Sequence, residues 1–168
     1  MEEIRGRRAM LCFPQMATKA QITAEQYLHT KFEHDSIRGK IRFLLAQALV
    51  PVTQTHPLYP CFGVQMQVAP DVYRIPDVAV FAGQEPKQSI PCEPPLLVIE
   101  TISREVLHRD LMTKLEEYRK WGVANIWIVN PLAKRFVVYL DWGLRYVSSL
   151  ALADYPFELT PSVLFSDL

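Results

Sequence analysis

The sequence has few cysteines and histidines, no net charge and no long apolar run, and each of these features excludes a class of protein. The three cysteines, Cys12, Cys61 and Cys92, have no paired spacing, so they indicate neither a disulfide framework nor a zinc site. The four histidines are scattered and fit no metal-ligand spacing. We therefore expect unpaired thiols in a reducing compartment and no organic cofactor.

Charge and hydropathy exclude further classes of protein. The 18 basic residues balance 18 acidic ones, so no global field attracts the chain to nucleic acid or membrane, although a local basic patch is still allowed. No apolar run approaches the roughly 20 residues that span a bilayer. The first residues lack the sustained apolar stretch of a signal peptide. These features predict a cytoplasmic protein with no membrane partner.

The length of 168 residues suits one domain with a sizeable core. Residues 1–15 show no periodicity, which predicts a disordered N-terminal arm or a start upstream of the true one, near Met16. Residues 16–168 are then a single domain. A short helix over residues 23–28 has Thr23 as its N-cap.

The pattern from residue 36 to residue 159 predicts helices around one sheet. An amphipathic helix covers residues 36–49, and its Arg38 and Arg42 favour a solvated face over a phosphate-binding strip. Pro51 falls in the loop that follows. The segments 62–69 and 74–81 predict an antiparallel hairpin, residues 82–95 a Pro-rich loop, and residues 96–102 a central strand buried on both faces. The remaining elements are a helix over 110–121, a strand over 125–129, a hairpin over 135–148 and an irregular tail over 156–168. Together the elements predict a mixed α/β fold.

Two carboxylates lie in these apolar runs, Asp77 in Ile75-Pro76-Asp77-Val78 and Glu100 in Leu97-Val98-Ile99-Glu100. A buried charge costs several kcal/mol unless it is paired or bound to a metal. Glu100 therefore favours a functional role. Asp77 alone is equally consistent with a turn residue that follows a proline.

If the two acids share a sheet end, they repel each other unless a cation lies between them. Hard oxygen ligands suit Mg²⁺, for which Mn²⁺ is a substitute, and a backbone carbonyl near Thr101 is the expected third ligand. Lys114, on the following helix, is predicted to reach Glu100 and orient an attacking water. Its alternative is an ordinary ion pair with Asp110 at i, i−4.

Several segments in order resemble the PD-(D/E)XK nuclease superfamily and, more closely, the Uma-two family of bacterial restriction endonucleases. The matching segments are Ile75-Pro76-Asp77-Val78, the strand from Pro94 to Glu100 with Ile102-Ser103, Asp110 with Lys114 and Tyr118, Gly122-Val123 through Pro131, and an opening helix at 22–28. The resemblance runs from about Met16 onward. It implies a restriction-endonuclease-like fold, a mixed central sheet flanked by helices, with a Mg²⁺-dependent phosphodiesterase site of Asp77, Glu100 and Lys114 acting on DNA.

Three departures from these patterns bear on activity. Ile102 stands where the superfamily has a lysine, and Lys114 is the matching replacement. The family's Asp-Gly-Glu hairpin between the first two helices is missing, with Glu33 an ambiguous substitute. Asn130 replaces an aspartate. Two hypotheses follow: a Mg²⁺-dependent DNA endonuclease, or a nuclease-fold protein without catalysis that serves as a homodimeric binding or assembly module. A symmetric dimer is expected in both.

Overall fold

The architecture is a six-stranded sheet covered on both faces. The computed structural model describes residues 31–102 and 108–166, and the side chains of residues 37–102 and 110–166. The helices in these ranges are α1 Lys31–Thr53, α2 His108–Trp121 and α3 Pro161–Leu164. The strands in the same ranges are β1 Leu58–Phe62, β2 Met66–Ala69, β3 Val72–Arg74, β4 Val78–Ala82, β5 Leu97–Thr101, β6 Asn125–Asn130, β7 Arg135–Leu140, β8 Gly143–Val147, β9 Leu150–Leu152 and β10 Phe157–Leu159.

The central sheet has the order β1-β4-β5-β6-β7-β8. Its one parallel pair is β5 with β6, which the crossover helix α2 connects, and its other neighbours are antiparallel. Strands β2 and β3 form one separate hairpin, and β9 and β10 form another. The expected mixed α/β fold with a central sheet flanked by helices is confirmed.

Alternation along the strands builds a core on each face of the sheet. Leu97 and Ile99 of β5 pack with α1, α3 and the β9–β10 hairpin. Val98 packs on the opposite face with α2 and the β2–β3 hairpin. All five residues of β5 are buried, as the apolar run predicted for a central strand. Glu100, next to Ile99 in β5, therefore points toward α2.

Helix α1 runs beyond the predicted residues 36–49, so the expectation that Pro51 lies in a loop was wrong. The buried stripe of Ile41, Leu45 and Leu49 continues to Val52, and this packing holds the last turn in place. Proline removes one backbone donor, but the helix ends two residues later, so the loss is confined to its final turn.

The predicted hairpin of residues 62–69 and 74–81 was also wrong, because two breaks divide it into four strands. Gly63 has φ +63°, in the left-handed region, and ends β1. Pro76 separates β3 from β4, since proline has no N–H for a ladder. Strand β1 then pairs with β4 in the central sheet, while β2 and β3 pair around a turn at Asp71.

The C-terminal segment is more regular than expected. The structure has β10 and α3 where an irregular tail over residues 156–168 was predicted, and β9 precedes that tail. The buried apolar residues of all three elements pack against the α1 face. These strands have three residues each, too few for a period-2 pattern to be recognised. The Pro-rich loop, the β7–β8 hairpin and the helical stop at Gly122, with φ +109°, are as predicted.

The structure also bears on the predictions about cysteines and membrane spans. Cys92 is disulfide-bonded, so the expectation of unpaired thiols was wrong for Cys92, whereas Cys61 is a free thiol as expected. Among the helices described, none is both long and apolar enough to cross a bilayer. The predicted N-terminal arm of residues 1–15 and the helix over 23–28 lie outside the described residues.

Candidate active site

The candidate site lies at one end of the central sheet, where β4 begins and β5 ends. Asp77 directly precedes β4, and Glu100 is the last residue but one of β5. The antiparallel register pairs Val78 with Ile99, so the residues that flank this pair in the two strands are Asp77 and Glu100. Both acids are almost completely buried, with 2% and 3% of their surface exposed.

Asp77 is held by a backbone amide and by two arginines of α1. The Thr101 N–H donates to Asp77 Oδ2 at 2.7 Å, and Arg42 Nη2 donates to Oδ1 at 2.7 Å. Arg38 Nε lies 3.8 Å from the same Oδ1. Charge-assisted hydrogen bonds of this kind offset the cost of burying the carboxylate. Asp77 is therefore part of a charged network and not an isolated turn residue.

The position of the Thr101 amide follows from the register of the ladder. The odd-numbered residues of β5 direct their backbone groups toward β4, and extension of the Val78–Ile99 pair places Pro76 opposite Thr101. Proline has no N–H to donate to the Thr101 carbonyl, and the Thr101 N–H bonds instead to the Asp77 side chain. One proline thus ends the ladder at the position where the Thr101 N–H meets the Asp77 carboxylate.

Glu100 is held by helix α2. The Tyr118 hydroxyl donates to Glu100 Oε1 at 2.8 Å, and Lys114 Nζ lies 3.5 Å from the same oxygen. Leu111, Leu115 and Tyr118 form the buried stripe of α2, and Lys114 lies one turn before Tyr118 at its border. Its flexible stem brings the ammonium to the sheet end.

Burial has the largest influence on the protonation of Glu100 and of Tyr118. Burial raises the pKa of Glu100, the Lys114 charge opposes that rise, and the Asp77 charge adds to it. Burial and the adjacent Glu100 also raise the pKa of the Tyr118 hydroxyl. Tyr118 therefore stays protonated as a hydrogen-bond donor at neutral pH, and Glu100 takes up a proton more readily than an exposed glutamate.

The structure brings together the residues that the sequence singled out. Lys114 Nζ lies beside Glu100, and no ion pair of Lys114 with Asp110 occurs among the described side chains. The catalytic role of Asp77, Glu100 and Lys114 and the metal role of Asp77, Glu100 and Thr101 stay predictions. The side chain of Glu33 lies outside the described residues.

Sequence reasoning missed three of the site's residues. Arg38 and Arg42 do not form a solvated face, because both approach Asp77. Tyr118 was named within a segment that resembles the family and was given no role at the site, although its hydroxyl donates to Glu100. One available signal was that a buried tyrosine hydroxyl needs a partner, and an unpaired glutamate lay in the strand preceding its helix.

The oxygen ligands at the sheet end fit a hard divalent cation, although one arginine competes with the metal for a carboxylate oxygen. Two carboxylates and the Thr101 carbonyl are ligands that Mg²⁺ and Mn²⁺ prefer. Arg42 competes for Asp77 Oδ1. Within the described residues, no cluster of three or more His, Cys, Asp or Glu side chains could hold a metal, so backbone or water oxygens must complete the set.

Asn130 stands near the same sheet end and has a local role. The register aligns Thr101 with Val129, so Asn130 is one residue beyond the end of β5. Its Oδ1 accepts a hydrogen bond from the Ala133 N–H at 3.0 Å, which closes the turn into β7. An asparagine satisfies that turn without adding a negative charge to the site.

The mixed sheet with two buried carboxylates and a lysine at one end defines a fold of the nuclease class, and comparisons with known proteins agree. The chain belongs to the Uma2 family, described as "Putative restriction endonuclease", which matches residues 24–156. This family is the Uma-two family that the sequence resembles. No curated protein matches the chain.

Among solved structures, the chain is similar to one from Anabaena variabilis ATCC 29413, described as "a putative nuclease belonging to DUF820". The TM-score is 0.67 at 16% identity, and the match covers 77% of this chain and 80% of the other. At that identity the similarity establishes a shared fold. Family membership and fold together support a nuclease of the restriction-endonuclease type.

Proposed function

We propose that this protein is a Mg²⁺-dependent endonuclease that hydrolyses phosphodiester bonds in DNA. The observation that carries the proposal is the pair of buried carboxylates at one sheet end, Asp77 and Glu100, with the Lys114 ammonium 3.5 Å from Glu100. A sheet end that buries two acids beside a lysine has the charges that phosphoryl transfer requires. Membership in a restriction-endonuclease family is the second support.

Each residue of the site has a distinct task in this reaction. Asp77 and Glu100, with the Thr101 carbonyl, would hold the metal ion, which when bound supplies a polarised phosphate and a more acidic water. The Thr101 N–H and the Tyr118 hydroxyl fix the orientation of the two carboxylates. Lys114 orients the attacking water and stabilises charge that builds on the phosphate.

Binding of Mn²⁺ to the protein alone tests the metal site. Calorimetry should give binding to the parent that is lost in Glu100→Gln, because the substitution removes one anionic ligand. Asp110→Asn is the matched control, since Asp110 is exposed on α2 and its substitution removes the same charge. Equal binding by Glu100→Gln and the parent would refute the site.

Cleavage of DNA tests the activity. Plasmid and linear duplex DNA should be cut in Mg²⁺ or Mn²⁺, and the products should disappear in EDTA. Cutting that persists in EDTA would contradict metal dependence. Metal binding without any cutting would favour the second candidate below.

The second candidate is a nuclease-fold protein without catalysis, acting as a binding or assembly module. The observation that favours it is the Arg42–Asp77 ion pair, which neutralises the first acid without a metal. The missing Asp-Gly-Glu hairpin and Asn130 agree with it. Absence of Mn²⁺ binding together with DNA binding in EDTA would support this function over the first.

A symmetric homodimer accompanies either function in the proposal. Two-fold dimers are the commonest oligomers, and cutting both strands of a duplex needs one site for each strand. Sedimentation at micromolar concentration should give a species of twice the chain mass. A monomer alone would contradict the dimer and leave the metal site unaffected.

A further inference from the structure

The charges around the two acids are unbalanced. Three cationic side chains, Arg38, Arg42 and Lys114, face Asp77 and Glu100, so the cluster has one positive charge in excess. A divalent cation bound at Asp77 would raise that excess. Either one of the cations must then leave the carboxylate, or an anion must arrive.

Arg42 is the cation placed to leave. Its side chain is 36% exposed, while that of Asp77 is 3% exposed, so the guanidinium lies between the buried acid and solvent. One of its five N–H donors bonds to Asp77, and its Nε is buried without a hydrogen-bond partner in the described structure. Arg38 Nε is in the same condition, which leaves two donors unused beside the site.

The guanidinium of Arg42 packs over a position that has no side chain. A Cβ at Gly63 would lie 3.7 Å from Arg42 Nη1, and the positive φ of Gly63 disfavours any side chain there. The guanidinium therefore lies over bare backbone. Its planar fork matches the oxygens of a phosphate as well as those of a carboxylate.

From these contacts we infer that Arg42 is an exchangeable counter-ion, which leaves Asp77 when a divalent cation binds and then binds a phosphate of the DNA backbone, with Arg38 beside it. The inference rests on the proposed function, since it needs both a metal and a DNA substrate. It assigns the two arginines of α1 to substrate binding. It also gives the Arg42–Asp77 ion pair a role in the metal-free site, where the arginine compensates the charge of the buried carboxylate.

Metal binding without DNA gives the first test. Removing the competing charge in Arg42→Gln should tighten Mn²⁺ binding by roughly three- to tenfold, the scale of a partly exposed ion pair. Arg42→Lys keeps the charge and should bind Mn²⁺ about as the parent does. Arg145→Gln is the matched control, because Arg145 is exposed on β8, at the opposite edge of the sheet from β1.

The salt dependence of DNA binding gives the second test. In Ca²⁺, a hard cation with the same ligand preference, the slope of log K against log salt for a short duplex should fall by about 1 in Arg42→Gln. The slope should stay at the parental value in Arg145→Gln. If Arg42 only held Asp77 in position, its replacement would weaken metal binding. Tighter metal binding together with a smaller salt slope therefore distinguishes the exchange from a structural role of Arg42.

The outcomes separate this inference from the proposed function. If the parent binds no Mn²⁺, the proposed function fails, and the exchange fails with it. If the parent binds Mn²⁺ and Arg42→Gln binds it equally or more weakly, only the exchange is overturned. Tighter Mn²⁺ binding with an unchanged salt slope also overturns it, because Arg42 would then not contact phosphate.

Discussion

The α1 side and the α2 side of the site each stabilise a buried carboxylate, but with different contacts. On the α1 side, Asp77 accepts hydrogen bonds from a guanidinium and a backbone amide, both at 2.7 Å. On the α2 side, Glu100 accepts one short hydrogen bond from a neutral phenol, and its cation is farther away at 3.5 Å. Asp77 is neutralised by ion pairing, whereas burial raises the pKa of Glu100 and favours its protonation.

This difference indicates separate tasks for the two carboxylates. An acid held by two short hydrogen bonds has a fixed orientation. An acid in an apolar setting changes its charge more easily, and a cation that arrives next to it is held more strongly because water is excluded. The α2 side is therefore the part of the site that responds most to pH and to metal.

The largest expected effect is on the α2 side. Lys114→Ala should lower the rate of DNA cleavage by about 100-fold, the scale for loss of one preorganised charge-stabilising group. Stability should change little, because Lys114 lies at the border of the core. Lys120→Ala is the control, since Lys120 is exposed on the same helix. A Lys114→Ala variant that cuts at the parental rate would remove Lys114 from the mechanism.

Asp77→Ala should have the largest effect on stability. It leaves the Thr101 N–H without its acceptor and two arginines without a counter-ion, which should lower the free energy of unfolding by about 2 kcal/mol. The partial exposure of both arginines keeps the loss below that of a fully buried pair. Urea unfolding measures it, with Asp110→Ala as the control. An unchanged midpoint would mean that the α1 side is not stabilised by ion pairing.

Tyr118→Phe should sharpen the contrast between the two sides. Loss of a hydrogen bond to a buried carboxylate should lower stability by about 1.5 kcal/mol at neutral pH. The loss should be smaller in acid, where Glu100 is protonated and needs the donor less. Unfolding at pH 5 and pH 8 provides the comparison, and a loss independent of pH would assign the effect to packing alone.

The smallest expected effect is an increase in stability, produced by Glu100→Gln. Because the pKa of Glu100 is raised on folding, the folded state binds the proton more tightly than the unfolded state. Its contribution to stability is therefore greatest below the unfolded pKa of about 4.3 and decreases as the pH rises through the folded pKa. Glu100→Gln lacks this decrease, so its Tm at pH 8 should exceed that of the parent by about 3 °C, the shift for roughly 1 kcal/mol.

The advantage of Glu100→Gln should disappear near pH 3, about one unit below the unfolded pKa, where both states of the parent are protonated at Glu100. Scanning calorimetry across this range measures it. A lower Tm at pH 8 would show that the Lys114 and Tyr118 contacts outweigh the cost of burial, and the two sides of the site would then be alike.

The sequence by itself determined the elements whose pattern is long or chemically unusual. The apolar run that encloses Glu100 predicted the buried central strand, because only a strand covered on both faces tolerates such a run. The period of α2 placed Lys114 beside Tyr118, one turn apart on one face. Pro76 before Asp77 indicated a strand boundary, and family resemblance added the order of these segments.

Only the tertiary structure decided which side chains meet Asp77. Arg38 and Arg42 lie about 35 residues earlier in the chain, and their spacing on α1 is also that of a solvated face. Strand β1 was missed for a related reason, since its partner β4 lies beyond the β2–β3 hairpin in the sequence. Strands β9 and β10 have three residues each, too few for their alternation to be recognised. Local periodicity indicates which face of an element is apolar. It does not indicate which charged groups tertiary packing brings next to that element.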